Sequence, residues 1–374
     1  MIHTRTRLVA SIATAITLAA CTDHAPTELS AAPRPAKAPV ASDAPVSVVM
    51  THLDAPRGLA FGPEGGLYVA EAGTSAIHGI CVVIARGQNC YSGTGAVSRL
   101  WKGEQTRILS GLPSVYNPLT TDILGPSDID FQGRGNGYLT IGWGADPALR
   151  SGLGAVGARF GTLNRFNPGG QLDVVADISA FERATNPAGG PFDSNPFGVL
   201  AEGGRQFVAD AGGNSLLQVE DGVVSLVATF APIPAPPGSV GPPTAEAVPT
   251  RVNRGPDGAL YVSTLTGAPF RAGTAAIYRV VPGAAPQVYA GGLSFVTDFA
   301  FAGDGTLYVL QLGSPVVPAA QGAVIRIAPN NGARSTVITG LAAPTGLTIG
   351  PDGALYVSVN SRVPAAGEVW RIVP

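Results

Sequence analysis

The chain has 374 residues, and only 13% of them are charged, about half the share of roughly 25% in an average soluble protein. The formal net charge is −2 and Lys and Arg form no cluster, so the basic surface that nucleic-acid binding requires is missing. With 50 Gly and 33 Pro, nearly every candidate helix would be interrupted, which excludes a helical bundle. Many short strands joined by tight turns are expected instead.

The first 20 residues have the features of an export signal. Three residues give it a basic start: His3, Arg5 and Arg7. The uncharged, mostly apolar run from Leu8 to Ala20 that follows is too short to span a bilayer, because a spanning helix needs about 20 residues. The run ends in LAAC at Cys21, which resembles a bacterial lipobox and implies that Cys21 is the lipid-modified first residue of the mature chain. The alternative is an ordinary cleaved signal peptide, residues 1–20, in which the cysteine follows by chance.

Residues 21–45 are rich in Ala, Pro and Ser and show no periodicity, so we expect a flexible tether anchored by lipid. Lipid on Cys21 would attach the protein to a membrane permanently, with the domain facing the periplasm or the cell exterior. In that oxidising compartment the two remaining cysteines, Cys81 and Cys90, are expected to form a disulfide. A metal or redox role is disfavoured because neither belongs to a CxxC motif.

One sequence pattern recurs six times between residue 56 and the C-terminus. Its first copy reads PRGLAFGPEGGLYV from Pro56, and its last reads APTGLTIGPDGALYVS from Ala343. Each copy has an aromatic residue in its second apolar segment: Tyr68, Tyr138, Phe207, Tyr261, Tyr308 and Tyr356. A third and usually a fourth apolar segment follow, so each copy predicts four short strands of one antiparallel sheet.

Such sheets need an apolar neighbour on both faces, and six of them arranged radially meet this need in an all-β, six-bladed β-propeller over residues 46–374. The sixth copy ends after its third segment, at residues 370–374. The missing strand is predicted at the start of the domain, where residues 46–53 match the segment that precedes the last copy. They should pair with residues 367–373 and close the ring, because an open solenoid would leave an apolar edge exposed.

The connections between strands differ in length at the two ends of the predicted propeller. The turns from the first to the second strand and from the third to the fourth are short, as in GPEGG at 62–66. The long insertions fall between the second and third strands or between blades: 72–94, 112–126, 142–160, 179–194 and 231–247. Long loops on one face of a rigid scaffold are typical of a binding site.

The first strand of each blade begins on that face, next to the axis. Asp128, Arg251 and Asp298 interrupt the small residues at these positions, so they are candidates for a polar channel mouth. Arg57 and Asn195 lie at or just before the first strands of their own blades, and they complete the candidate ligand-binding set. The alternative is an internal pairing of Asp with Arg that only satisfies strand ends.

Two local structures are expected at the third blade. Residues 178–186 (ISAFERATN) predict one or two helical turns capped by a serine. Asp210 and Asn214 are expected to cap a turn through hydrogen bonds from side chain to backbone.

Several kinds of catalytic chemistry have no counterpart in the sequence. The domain contains two histidines, His52 and His78, and no cluster that suits zinc. A GxSxG nucleophile motif and an EF-hand loop are also absent. Asp128, Asp298 and Asn195 nevertheless offer oxygen ligands, so a Ca²⁺ site at the channel mouth is kept as an alternative.

Three segments carry a family resemblance: 125–147, 176–201 and 208–217. They resemble the ScyD/ScyE family, exported propeller-type proteins named for an association with biosynthesis of the pigment scytonemin. The resemblance covers nearly all of 46–374 and implies no settled catalytic activity. Ser127 stands where members of the family often have His before the Asp of GPSD, which argues against proton transfer there. More distantly, the repeats are similar to NHL-type repeats and to six-bladed gluconolactonase-like hydrolases.

Two functions are compatible with these observations. The first is a monomeric, lipid-anchored envelope protein that binds a small molecule or an envelope protein on its long-loop face, without catalysis. The second is a divalent-metal-dependent hydrolase of the lactonase type, with Ca²⁺ at the channel mouth. The first is favoured because a lactonase usually presents a denser set of Glu, Asn and Asp ligands than this sequence offers.

Overall fold

The structure is a computed structural model that describes residues 1, 44–133, 135–167, 169–317 and 319–374. Residues 2–20 of the predicted signal peptide, Cys21 and residues 22–43 of the tether lie outside the described residues. The fold is that of the compact unit Pro39–Pro374. Within the described ranges, no helix has the length and apolar composition needed to cross a membrane.

Short strands make up most of this unit, as the turn-rich composition predicts. In chain order they are β1 Val46–Leu53, β2 Pro56–Phe61, β3 Leu67–Glu71, β4 Cys81–Ile84, β5 Gly87–Tyr91, β6 Gly95–Trp101, β7 Glu104–Leu112, β8 Val115–Tyr116, β9 Ile123–Leu124, β10 Pro126–Gln132, β11 Asn136–Ile141, β12 Thr162–Phe166, β13 Leu172–Asp177, β14 Pro196–Glu202, β15 Arg205–Asp210, β16 Ser215–Glu220, β17 Val223–Thr229, β18 Ile233–Pro234, β19 Thr244–Ala245, β20 Pro249–Arg254, β21 Leu260–Thr264, β22 Ala275–Val280, β23 Gln287–Leu293, β24 Val296–Phe301, β25 Leu307–Gln311, β26 Gln321–Ile327, β27 Arg334–Ala342, β28 Gly346–Ile349, β29 Leu355–Val359 and β30 Gly367–Ile372. A 3-10 helix, Pro147–Arg159, lies between β11 and β12, and the α-helix α1, Ile178–Thr185, lies between β13 and β14.

Six four-stranded antiparallel sheets in the described part of the chain form the blades of a β-propeller. From the first strand outward, blades 1 to 6 are β2-β3-β6-β7, β10-β11-β12-β13, β14-β15-β16-β17, β20-β21-β22-β23, β24-β25-β26-β27 and β28-β29-β30-β1. The first strand of each blade contacts the first strand of the next, and β28 of blade 6 contacts β2 of blade 1. The ring is therefore closed, as the sequence repeat predicts.

Blade 6 takes its outer strand from the start of the domain. Strand β1 pairs antiparallel with β30, with Val48 opposite Trp370 and Met50 opposite Val369. This confirms the predicted pairing of residues 46–53 with 367–373. Strand β30 runs from the end with the long connections to the end with the short turns, so the chain enters blade 6 at the short-turn end.

The repeated turn between the first and second strands is held by side chains that the repeat encodes. In blade 4, a carboxylate oxygen of Asp257 accepts a hydrogen bond from the hydroxyl of Tyr261 at 3.2 Å, and the other accepts one from Nε of Arg279 at 2.6 Å. Asp352 is the corresponding acceptor in blade 6. The turn Asp, the strand Tyr and the recurrent Arg of the third strand therefore form one unit, which explains why they recur together.

The apolar residues of neighbouring blades form shared cores. Ile277 and Leu293 of blade 4 pack in one cluster with Phe299 and Val309 of blade 5, and all four are nearly inaccessible to solvent. The second strands β3 and β21 are buried along their whole length. Burial on both faces of each sheet stabilises the radial arrangement.

The structure confirms two further sequence predictions and corrects a detail of one. The disulfide between Cys81 and Cys90 is present, and it links β4 to β5 in a small extra sheet. Helix α1 forms where it was expected, but its N-cap is Asp177, whose side chain accepts a hydrogen bond from the amide of Ala180 at 2.8 Å. The predicted serine cap is wrong, because Ser179 lies inside the helix and is buried against the blade.

Candidate functional site

The three charged residues predicted at the channel mouth meet at the axis. Arg251 in β20 forms an ion pair with Asp128 in β10, and its Nε lies 3.4 Å from Oδ1 of Asp298 in β24. All three side chains are buried. One guanidinium therefore joins blades 2, 4 and 5.

The same carboxylates also bind the backbone of neighbouring blades. Oδ2 of Asp128 accepts a hydrogen bond from the amide of Val199 in blade 3 at 2.8 Å, and Oδ2 of Asp298 accepts one from the amide of Leu347 in blade 6 at 2.8 Å. In both cases the first strand of one blade is bonded to the first strand of the next. These contacts agree with the alternative reading of the sequence, an internal pairing that satisfies strand ends.

Hydroxyl groups form a second set of bonds between blades at the same level. Oγ1 of Thr250 donates to the carbonyl of Val296 at 2.9 Å, which joins blade 4 to blade 5. Oγ1 of Thr345 donates to the carbonyl of Pro56 at 2.8 Å, which joins blade 6 to blade 1 across the closure of the ring. The residues at the starts of the first strands thus stabilise the ring through hydrogen bonds between neighbouring blades.

Little space is left between the first strands at this level. A Cβ on Gly58 would clash with Oδ1 of Asp128, and a Cβ on Gly198 would clash with the carbonyl of Thr250. The axial space lined by Asp128, Arg251 and the neighbouring first strands has no room for a water molecule. The charged side chains therefore fill the axis at this level and leave no open channel there.

Burial dominates the electrostatics of this axial network. It raises the pKa of Asp128 to about 6 and that of Asp298 to about 7, while the positive charge of Arg251 acts in the opposite direction. Repulsion by Asp128 raises the pKa of Asp298 further. Because two carboxylates share one guanidinium, the protonation of the network changes near neutral pH.

The other two predicted site residues lie outside this network. Nη2 of Arg57 donates to the carbonyl of Ile123 at 2.8 Å, in the connection between blades 1 and 2, and burial lowers the pKa of Arg57 to about 10. Oδ1 of Asn195 accepts a hydrogen bond from the amide of Trp143 at 3.2 Å. Of the five residues, the structure brings three together and places Arg57 and Asn195 elsewhere on the long-loop side.

A Ca²⁺ ion does not fit the axial donors. Asp128 and Asp298 face the guanidinium of Arg251, which takes the position that a cation would need, and Asn195 does not line this space. Among the residues that the structure describes, no three carboxylate, imidazole or thiolate groups are placed to hold a metal ion. The expected convergence of Asp128, Asp298 and Asn195 on a cation is therefore corrected, because the two carboxylates neutralise an arginine instead.

Four long connections of blades 1 to 3 pack on one another at the end opposite the short turns. They are residues 72–94, 113–125, 142–161 and 178–195, here called the loop cap. Nη2 of Arg86 donates to the carbonyl of Gly144 at 2.9 Å, and the amide of Gly144 donates to the carbonyl of Ser194 at 2.9 Å. Arg150 makes two hydrogen bonds to the carboxylate of Asp177, at 2.9 and 3.1 Å. The loop cap is thus one connected structure.

The loop cap has an apolar core of its own. Trp143 and Phe160 are fully buried, with their ring centroids 5.6 Å apart. Val82, Ile84 and Leu153 belong to the same cluster. Because its surface is already ordered by this core, the loop cap would lose less conformational entropy than free loops when a ligand binds.

A second group of buried carboxyl groups, which the sequence does not reveal, lies where the loop cap meets blade 3. Glu182 of α1 and Asp210 of β15 meet at the turn of blade 3, where a Cβ on Gly213 would lie 2.9 Å from Oε2 of Glu182 and 3.0 Å from Oδ2 of Asp210. Asp193 lies beside the same turn, against Gly212. Oε2 of Glu182 and Oδ1 of Asp193 are buried without a hydrogen-bond partner.

The sequence contained only part of the signal for this group. Asp210 caps its turn as predicted, since its Oδ1 accepts the amide of Gly213 at 3.2 Å, and Nδ2 of Asn214 donates to the carbonyl of Gly212 at 3.4 Å. Glu182 follows the buried Ile178 at helical spacing, which places it on the inner face of α1. Nothing in the sequence shows that this face meets Asp210.

An apolar groove of about 760 Å³ lies between blades 3 and 4, at the edge of the loop cap, where Ala188 forms part of its lining. Its lining includes Leu226, Phe230, Ile233 and Tyr278 and no charged residue. The rings of Phe230 and Tyr278 meet edge to face, with centroids 5.4 Å apart. The groove has the volume of a small-molecule site but few of the polar groups that orient a ligand.

The fold and the site define a class of protein: a six-bladed β-propeller with a filled axis and an ordered loop cap over three blades. No family model matches the chain, and no curated protein matches it. Among solved structures, the chain is similar to an oxidoreductase assigned as a glucose dehydrogenase from Thermus thermophilus, at 19% identity over 88% of this chain and 100% of that one, with a TM-score of 0.52. It is also similar to the PQQ-bound aldose sugar dehydrogenase from Streptomyces coelicolor, at 12% identity over 89% and 99% of the two chains and a TM-score of 0.50.

A third solved structure, assigned as a gluconolactonase, aligns at 12% identity over 88% of this chain and 92% of that one, with a TM-score of 0.48. The first two similarities show the β-propeller fold. At these identities they do not extend to activity.

Proposed function

We propose that this propeller binds a small carbohydrate-class ligand, a sugar or a sugar lactone, on its long-loop face. The loop cap is the observation that carries the proposal. It is an ordered surface built from four connections, and it stands over three blades of a ring whose opposite end carries only short turns. Ordered loops on a rigid scaffold are the usual setting of recognition.

The ligand class is taken from the names of the structural neighbours. Two of them are described as a glucose dehydrogenase and an aldose sugar dehydrogenase. A sugar presents several hydroxyl groups, and the loop cap offers carboxylates, arginines and backbone groups that form hydrogen bonds with hydroxyls. Arg86, Arg150 and Asp193 are such groups in the loop cap.

Hydrolysis of a sugar lactone is the second candidate function, because the neighbours act on sugars by name. A metal-dependent mechanism at the axis is not part of this proposal, since Arg251 occupies the space between Asp128 and Asp298. A hydrolytic site would therefore have to use the residues of the loop cap. We assign no catalytic step to them.

The chain enters the propeller at the end opposite the loop cap, which leaves the proposed binding face exposed. Strand β1 begins at the short-turn end, where Val46 pairs with Ile372. If Cys21 carries lipid, as we propose from its lipobox, the tether joins the domain at the end opposite the loop cap. Export is in keeping with the disulfide between Cys81 and Cys90. Palmitate labelling that is lost in a Cys21→Ala variant would support the anchor, and unchanged labelling would refute it.

Titration calorimetry of the mature protein tests the binding proposal. Glucose, a disaccharide, gluconate and gluconolactone are titrated into the protein, with lactone hydrolysis followed in parallel, each with and without Ca²⁺. We expect saturable binding of at least one sugar or lactone that does not depend on Ca²⁺. No heat of binding with any of them at millimolar concentration would contradict the ligand class.

A matched pair of variants locates the binding surface. Arg150→Ala removes the ion pair that joins the 3-10 helix of the loop cap to Asp177 of β13, so we expect it to weaken binding about tenfold or more. Arg205→Ala removes a half-exposed arginine paired with Glu220 at the short-turn end, and it should leave binding unchanged. Equal effects of the two substitutions would place the site away from the loop cap.

A further inference from the structure

Helix α1 carries a buried carboxyl group that no cation neutralises. Glu182 is 2% exposed, and its Oε2 has no hydrogen-bond partner. Its side chain lies on the buried face of the helix, with Ile178 and Ser179. A buried carboxylate without a partner is strongly unfavourable, so this position requires either a counter-charge or a proton.

The nearest charged neighbours of Glu182 are both acidic. Burial raises the pKa of Glu182, and repulsion by Asp210 and Asp193 raises it further, to about 7. No cation contributes. No metal-binding arrangement of carboxylates exists here or elsewhere among the described residues. A proton is therefore the species that neutralises the group.

The charged residues on the elements that pack against α1 are engaged elsewhere. Arg183 of α1 itself lies over the ring of Phe192, with its guanidinium carbon 4.4 Å from the ring centroid. Arg150 of the 3-10 helix binds Asp177. Arg159, at the end of the same helix, is exposed.

Two further arginines, Arg165 and Arg86, lie on elements near α1. Arg165 of β12 is half-exposed and pairs with Asp173. Arg86 bonds the carbonyl of Gly144, and its charge acts on Asp193, as does the negative charge of Glu246. None of these arginines reaches Glu182.

Hydrogen bonding determines whether Glu182 or Asp210 holds the proton. Oδ1 of Asp210 accepts the amides of Asn195 at 2.6 Å and Gly213 at 3.2 Å, and Oδ2 accepts the hydroxyl of Ser194 at 2.9 Å. Burial raises the pKa of Asp210 as well, but these donors act in the opposite direction by stabilising its ionised form. Glu182 has no donor, so the proton belongs to Glu182.

We propose that the protonated Glu182 carboxyl docks helix α1 against blade 3, and that its ionisation releases this part of the loop cap. The docked helix is also held by Ser179, whose Oγ donates to Oγ of Ser194 at 2.9 Å. Ser194 in turn bonds to Asp210 and to the connection of blade 2 through Gly144. Helix α1 is therefore docked on blade 3 in mild acid, and this part of the loop cap is less tightly held in mild alkali. The pH would thereby regulate the face that binds ligand, a consequence that rests on the proposed function.

Hydrogen–deuterium exchange of the mature protein without ligand tests the proposal. Protection of residues 178–194 is measured from pH 5.5 to 8, with chemical exchange rates corrected from an unstructured peptide of the same sequence. We expect protection to fall about tenfold or more across this range in the wild-type protein. In Glu182→Gln, which stays neutral, protection should change less than about twofold by the same linkage. Glu104→Gln is the matched control at an exposed site on the short-turn side, and it should behave as wild type.

A second variant keeps the test decisive if Glu182→Gln does not fold. Asp193→Asn removes one of the two repelling charges, so the fall in protection should become smaller. Protection that is independent of pH in the wild-type protein would overturn the proposal, and so would full pH dependence in Glu182→Gln. Because no ligand is present, these outcomes are separate from success or failure of the sugar titration.

Discussion

Arg251 and Asp128 lie on blades separated by a whole blade, yet they form a buried ion pair across the axis of the propeller. The two residues are 123 positions apart in the chain. Asp298 approaches the same guanidinium from a third blade. Charged residues at the start of propeller strands therefore join the blades to one another here. The sequence alone also allows an open polar channel mouth at this place.

Replacing Arg251 with Met should strongly destabilise the fold. Asp128 and Asp298 would remain buried without their counter-charge, and breaking a buried pair from one side costs about 3–5 kcal/mol. Urea unfolding measures the loss. Arg165→Met is the control, because Arg165 is 53% exposed in its ion pair, and its free energy of unfolding should change by less than about 0.5 kcal/mol. Similar values for the two variants would show that the axial pair does not support the ring.

A methyl group at Gly58 should also destabilise the axis. The Cβ of Gly58→Ala would clash with Oδ1 of Asp128, next to the ion pair with Arg251. Overpacking of this kind costs about 1–3 kcal/mol. Gly303→Ala is the matched control, because its Cβ would meet nothing within 4 Å and its backbone conformation is not left-handed. Thermal unfolding of both variants checks this, and an equal melting temperature for the pair would contradict the close packing described here.

The fold was predictable from the sequence because its information is local and repeated. Each copy brings its own turn, and in blades 4 and 6 the turn Asp and the strand Tyr that bonds to it lie four positions apart, as Asp257 with Tyr261 and Asp352 with Tyr356 show. The closing strand was predictable because the last copy lacks a fourth segment that residues 46–53 supply.

The site was only partly predictable, for the opposite reason. The sequence marks Asp128, Arg251 and Asp298 as unusual, but nothing in it shows that they face one another across the axis and fill it. Glu182 was missed because its partners depend on how a long, non-repeated connection folds back over blade 3. Contacts between distant residues that occur once per chain leave no periodic trace.

Closure of the ring by β1 should be sensitive to one buried side chain. Met50 is 1% exposed and lies opposite Val369 of β30, so Met50→Ala should cost about 2–5 kcal/mol. Val48 lies on the same strand but is 37% exposed, so Val48→Ala should cost clearly less. Chemical denaturation compares the two free energies of unfolding. A larger effect at Val48 would mean that β1 does not close the ring in the register seen here.

Stability should decrease as the pH rises from 5 to 8. Burial raises the pKa of Asp298 and of Glu182 to about 7, and those of Asp128 and Asp193 to about 6, all above the values of an unfolded chain. The folded state therefore binds more protons than the unfolded state, so the stability that these protons provide is complete below about pH 4 and is lost as the pH rises from there through the folded pKa values of about 6 and 7.

Exposed turn carboxylates such as Asp257 and Asp352 have the opposite shift. Their effect lies below about pH 4, outside this range. We expect a fall of about 1–3 kcal/mol between pH 5 and pH 8, measured by urea unfolding at constant ionic strength.

Two variants divide this pH dependence between the axis and the loop cap. Asp298→Asn should reduce the contribution of the axial network, because one of the two carboxyls next to Arg251 no longer titrates. Glu182→Gln should remove the contribution of helix α1 and leave that of the axis in place. If the double variant retains the full wild-type slope of stability against pH, then neither buried group is the source of the effect. A wild-type stability that does not change between pH 5 and pH 8 would mean that these carboxyls are ionised in the folded state throughout the range.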